Sequence, residues 1–151
     1  MFWHEPLESA PEIVQQCHES WHLLNPEYEV VFLTPANLPT WFEPGPGAPD
    51  PTRLSVQHFT DYLRLHLVSV WGGVWVDATL FCKKPLREWL DDRPALGFFG
   101  LRTSPKKRWR AIHNFFLASV PRGYFAEQWR DTFGRYLNRD LSPMTAATQK
   151  R

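Results

Sequence analysis

Apolar positions change their spacing several times along the chain, and each change marks an element. Val14, Cys17, Trp21 and Leu24 recur at helical intervals. Ser9-Ala-Pro-Glu12 ahead of them reads as a capping box with Pro11 in the first turn, so a helix is expected to run to the Asn25-Pro-Glu stop. "YEVVFL", Tyr28 to Leu33, is rich in β-formers and closes at Thr34-Pro35, which predicts a strand. "LPTWFEPGPGAPDPT" is dense in proline and glycine and predicts a long surface loop without regular structure. From Leu54 to Val70 the period is helical again, with Phe59, Leu63, Leu67 and Val70 on one face and Gly72-Gly73 as the stop. "VWVDATLF" has the length and branching of a buried strand, ended by Lys83-Lys84-Pro85. A short helix at "LREWLDD", a strand at "ALGFFGLR", a basic loop at "SPKKRWR" and a strand at "IHNFFLASV" follow. Phe125, Trp129, Phe133 and Leu137 mark a last helix. Helices alternating with buried strands predict an α/β sheet with helices on its faces. One domain is expected over residues 1–140, with a small polar tail at 141–151 that frays.

Composition narrows the partners. Seventeen basic and sixteen acidic residues leave a formal charge of +1, which gives no electrostatic reason to expect nucleic acid. The apolar run from Leu63 to Leu80 is broken by Arg64, His66, Gly72, Gly73 and Asp77, so no transmembrane segment is expected, although peripheral membrane association is compatible with the chain. "MFWHEPLESAPE" has no basic region followed by an apolar one, so no signal peptide is visible and a cytoplasmic location is the default. Cys17 and Cys82 lack metal-site or disulfide-framework spacing and read as small buried hydrophobes. Eight Trp and eleven Phe can fill the core or offer flat faces to sugars and bases; for Trp41 and Phe42 in the proline-rich loop, a hydrophobic plug is the preferred use.

The chemistry is concentrated in "FTDYLRLHLVSVWGGVWVDATLF". Strand alternation puts Trp75, Asp77, Thr79 and Phe81 on one face, and a carboxylate in so apolar a run must lie at the strand's C-terminal end or meet a cation or hydrogen-bond donors. Asp61 and Arg64, three apart on the preceding helix, can meet; by spacing alone they read as a surface ion pair of little consequence. Two carboxylates could also serve a glycoside hydrolase, but their place beside the double glycine favours ligand binding. No GxSxG, P-loop or GxGxxG occurs.

The order of an acid-and-arginine helix, a double glycine and an acid-bearing strand resembles the core motif of the capsular polysaccharide synthesis proteins. These are related to the DXD-containing sugar transferases of glycosyltransferase family 32. "APEIVQQCHESWHLLNPEYEVVFL" and "IHNFFLASVP" resemble the flanks of that family, so the likeness covers about residues 4 to 130. It implies a glycosyltransferase A type fold, shortened at both ends here because only "MFW" stands ahead of the first loop. It also implies transfer of a sugar from a UDP- or GDP-sugar to a glycan or glycolipid acceptor, with retention of configuration.

Carried over by position, Asp61 and Arg64 hold the donor sugar, Gly72 and Gly73 belong to the donor-binding motif, and Asp77 is the catalytic and metal-binding first acid. Thr79 stands where a second acid is usual, and the capsular branch resembles this chain in reading "DAT" there, which leaves three arrangements open: Mn²⁺ or Mg²⁺ held by Asp77 alone with phosphate and water, a cation site completed from elsewhere, or a diphosphate neutralised by basic side chains. Trp75 walls the donor pocket and Trp3 meets the base. Lys106, Lys107, Arg108 and Arg110 around Trp109 read equally as a solvated surface loop or as positive charge for a phosphate or an acceptor, and the resemblance puts His113 and Asn114 on a strand next to the site, His113 reading as structural more than catalytic. The rival expectation is a truncated, non-catalytic nucleotide- or glycan-binding remnant.

Overall fold

The computed structural model describes residues 1–90, 97–102 and 112–139. The basic segment at 106–110, the last two residues of "LREWLDD" (91 and 92) and the tail from 140 onward lie outside the described residues.

Four helices and three strands follow the order α1 (Glu12–Leu24), α2 (Leu38–Trp41), α3 (Val56–Val70), β1 (Gly73–Val76), β2 (Phe98–Arg102), β3 (Ile112–Ser119) and α4 (Tyr124–Leu137). The three strands form one antiparallel sheet in the order β1-β3-β2, with Trp75 opposite Leu117 and Phe99 opposite Ala118. Because side chains alternate across a strand, Trp75 and Leu117 point into a core shared with Tyr62, Leu63, Leu67 and Ala126, while Val76, Phe116 and Ala118 point into another shared with Val14, Trp21 and Cys82. α3 and α4 thus cover one face and α1 the other. This is the mixed α/β arrangement that the pattern predicts.

Several local expectations fail for identifiable reasons. Ser9 ends a 3₁₀ turn at Leu7–Ser9 and cannot cap α1, whose N-cap is Pro11 without a side-chain bond; Gln15 instead reaches back to the Ala10 carbonyl at 2.8 Å. Residues 28–33 do not form a strand, because among the described residues the segment closes a single parallel bridge, Phe2 to Leu33, with the short stretch Met1 to Trp3. The proline-rich stretch is not wholly irregular: it holds α2 and a 3₁₀ turn at Pro51–Arg53. Its Phe42 is buried against Phe59, Tyr62 and His66, and Trp71 donates from its indole to the Trp41 carbonyl at 2.8 Å, so the loop is plugged by its aromatics as expected. The described part of "LREWLDD" holds a 3₁₀ turn, Leu86–Glu88, in place of the expected helix.

α3 is capped by Ser55, whose hydroxyl accepts from the His58 N–H at 3.2 Å. Every residue from Tyr62 to Ser69 is buried, not one stripe alone, because α4, the sheet and the plugged loop close on the helix from different sides. Val70, expected on the buried face, is exposed at the helix end. Gly72 and Gly73 turn the chain into β1 with φ of +72° and +77°, and a Cβ on Gly72 would stand 2.6 Å from the Pro121 ring. On the other face, Trp21 donates to the Leu80 carbonyl at 2.6 Å, the Ser20 hydroxyl accepts from the Cys82 N–H at 2.9 Å, and the buried Asn25 accepts from the Leu86 N–H at 2.6 Å. These bonds fix the segment after Asp77 to α1. Cys17 and Cys82 are free and buried, as the composition suggests.

Candidate functional site

β1 stops at Val76, one residue short of the acid. Asp77 still donates its N–H across the ladder to the Phe115 carbonyl at 2.9 Å, while its own carbonyl accepts from the Leu80 N–H at 2.9 Å and closes a turn. The carboxylate therefore lies at the strand's C-terminal end, as its desolvation cost requires. Thr79 reaches the same cleft through that turn and not by strand alternation, and Phe81 does not join the face expected for it, being half exposed and absent from the cleft.

Asp77 Oδ1 accepts the Trp75 indole N–H at 2.8 Å and lies 3.2 Å from Arg64 Nη2. Arg64 Nη1 lies 2.9 Å from Asp61 Oδ1, which also accepts from Asn114 Nδ2 at 2.8 Å. One guanidinium thus bridges two carboxylates from two elements, with its carbon 5.6 Å from the Trp75 ring centroid. The Arg64 side chain is only 7% exposed, so the surface-pair reading of Asp61 and Arg64 is overturned. The physical reason is the all-round burial of α3, which no i,i+3 spacing reveals. Burial raises the Asp61 pKa, with Arg64 opposing and the nearby Asp77 charge adding to the rise.

A cleft of about 210 Å³ opens over this cluster, lined among others by Trp3, Thr60, Arg64, Trp75, Asp77 and Thr79. Trp3, Trp75, Asp77, Thr79 and Arg64 are therefore brought together, while Asp61 supports them from behind Arg64. The indole nitrogen of Trp3 and Nε of Arg64 are buried without a hydrogen-bond partner. Gly72 and Gly73 are not brought to this cleft. They lie at the far end of β1 and line a separate, mainly apolar one with Val31, Trp71 and Val74. Asn114 is the contact that spacing could not assign: it is 53 residues from Asp61, and only the β3 register delivers it.

Two carboxylates and one guanidinium leave one net negative charge. With Nη1 and Nη2 of Arg64 held by carboxylates, the groups the cleft lining leaves without a protein partner among the described residues are the second oxygen of Asp77, the Thr79 hydroxyl, the Trp3 N–H and Arg64 Nε. This set suits hydroxyl groups better than phosphate. No three His, Cys, Asp or Glu among the described residues gather into a metal-binding group.

Fold and site together define a small mixed α/β domain with a cleft over an arginine-bridged carboxylate pair at the end of an edge strand. Over residues 1–145 the chain matches the family of capsular polysaccharide synthesis proteins, and it belongs to that family. Neither the curated proteins nor the solved structures provide a match. Among the described residues no helix is long and apolar enough to cross a membrane.

Proposed function

We propose that the chain is a capsule-synthesis glycosyltransferase of the glycosyltransferase A type. It would take a sugar from UDP or GDP and pass it, with retention, to a glycan or glycolipid acceptor. Family membership supports a role in capsule synthesis. The observation that carries the transferase reading is Arg64, buried and shared between Asp61 and Asp77 at the floor of the cleft. Arg64 and the Trp75 N–H hold Asp77 by one oxygen, so the other is aimed in a fixed direction into the cleft, and the Trp3 indole N–H offers a donor toward the base or sugar. Arg64 acts as a positioning residue, not as a phosphate fork, because its terminal nitrogens are already committed.

Catalysis on this reading is orientation of the donor plus stabilisation of the departing nucleoside diphosphate. The negative cluster cannot supply the latter. Asp77, through its remaining oxygen, and Thr79 are the side chains that would hold Mn²⁺ or Mg²⁺, with donor phosphates and water completing the shell, as such ions accept one or two carboxylates. The ion would neutralise the diphosphate; the sequence places Lys106, Lys107, Arg108 and Arg110 as a second source of positive charge. A second reading, nucleotide or glycan binding without transfer, is favoured by one feature: Arg64 is the only Lys or Arg lining the cleft among the described residues.

Incubation with a panel of UDP- and GDP-sugars, with and without Mn²⁺, separates the two. Transfer predicts slow donor hydrolysis that Asp77→Ala abolishes. Donor binding without consumption would leave the binding reading, and a donor affinity unchanged by Asp77→Ala would sink both.

A further inference from the structure

On the opposite side of α3 a second cleft, of about 510 Å³, opens between the helix, α4 and the Gly45-Pro46-Gly47 turn, within the about 300–1,000 Å³ usual for small-molecule sites. Tyr62 and His66, one helical turn apart, form its inner wall at 5% and 7% exposure. Successive helical residues are rotated by about 100°, so these two side chains point away from Arg64 and the helix separates the two clefts.

The Tyr62 hydroxyl and the His66 ring nitrogens make no hydrogen bond among the described residues, though both rings touch Phe42. Their polar atoms are not sealed in without a partner, as Trp3 Nε1 and Arg64 Nε are, and they line the cleft where a ligand can reach them. His66 is held neutral by burial and by Arg130, with its pKa lowered to about 4, and so offers one donor and one acceptor. The charged side chains at the cleft balance: Arg130 and Arg135 against Glu43 and Asp131. Arg130 is further occupied, donating to Asp131 at 2.8 Å and to the Ser69 hydroxyl at 3.0 Å. An anion would meet Glu43 and Asp131, and a cation would meet the two arginines. A neutral ligand whose groups both donate and accept meets neither obstacle.

We propose that this cleft binds an uncharged saccharide unit through Tyr62, His66 and Asp131, as an anchoring site separate from the Asp77 cleft. The assignment stands whether or not sugar transfer occurs at Asp77. Its test is titration of the full chain with lactose, maltose and cellobiose to millimolar concentration, followed by NMR at the His66 ring protons and the Gly45 and Gly47 amides. Glucuronate and inorganic phosphate serve as anionic probes. Saturable shifts at these reporters with at least one neutral disaccharide are expected, and Tyr62→Phe should weaken the affinity by about fivefold to tenfold, the loss of one neutral hydrogen bond. His66→Gln, read at the glycine amides, should weaken it as well. No saturable shift with any neutral disaccharide, tighter binding of glucuronate or phosphate, or an affinity unchanged in Tyr62→Phe would each overturn the assignment.

Discussion

On one side of α3, Arg64 is buried with both terminal nitrogens on carboxylates and its charge balanced by Asp61 and Asp77. On the other side, Tyr62 and His66 are buried as deeply, yet nothing among the described residues accepts from or donates to their polar atoms. The same helix therefore carries a cluster whose geometry is fixed by its own partners and a cleft whose polar wall is left open. Groups committed to each other hold a shape and govern stability. Uncommitted groups contribute little to folding and keep their bonds for a ligand.

The contrast is broken most severely at Arg64. Arg64→Met leaves Asp61 and Asp77 facing each other without a counter-charge, one of them on a helix buried on every side, and should cost about 3–5 kcal/mol. Urea unfolding checks this. Arg64→Lys should lose less, because an ammonium keeps the charge but cannot fork to both carboxylates. A surface pair would cost at most about 1 kcal/mol in either variant.

The second effect lies at His66 and depends on pH. Burial first, then Arg130, lower its folded pKa to about 4 from the ordinary value of about 6.5. Between those values the unfolded chain binds the proton that the folded chain refuses. Stability is thus complete above about pH 6.5 and declines as pH falls toward 4, by at most about 3 kcal/mol. Asp61 works in the opposite direction, since its raised pKa favours the folded, protonated form on acidification. The comparison that isolates His66 is the stability–pH curve of His66→Gln, which should be flatter than that of the parent over this window.

α3, the glycine turn into β1 and the pairing of Asp61 with Arg64 are legible in the sequence because each depends on neighbours within a few positions. The placement of Asp77 at a strand end is legible as well, from the cost of an acid in an apolar run. What is not legible depends on distant chain. Arg64 is buried because α4 and a proline-rich loop close around α3, and Asn114 arrives through the β3 register. The Tyr62–His66 cleft needs the Gly45–Gly47 turn and α4 to give it walls. The strand expected at 28–33 and the Ser9 cap failed on partners: one found three residues to pair with, and the other was drawn into a 3₁₀ turn.

The smallest effects sharpen the comparison most, because they remove single polar groups from each side without disturbing charge. Asn114→Ala deletes an exposed donor to a half-buried carboxylate, and its 2.8 Å bond to Asp61 Oδ1 is worth about 0.5–1.5 kcal/mol, the net range of an ordinary hydrogen bond. The charge on Asp61, whose side chain is 23% exposed, places the expected loss at the upper end of that range. Tyr62→Phe deletes a hydroxyl that has no partner among the described residues, so the change in stability should stay within about 0.5 kcal/mol. Thermal or urea unfolding of the two variants side by side reads the difference. A loss at Tyr62→Phe as large as at Asn114→Ala would mean that the hydroxyl is bonded in the free protein and that the two faces of α3 do not differ in the way their polar groups are used.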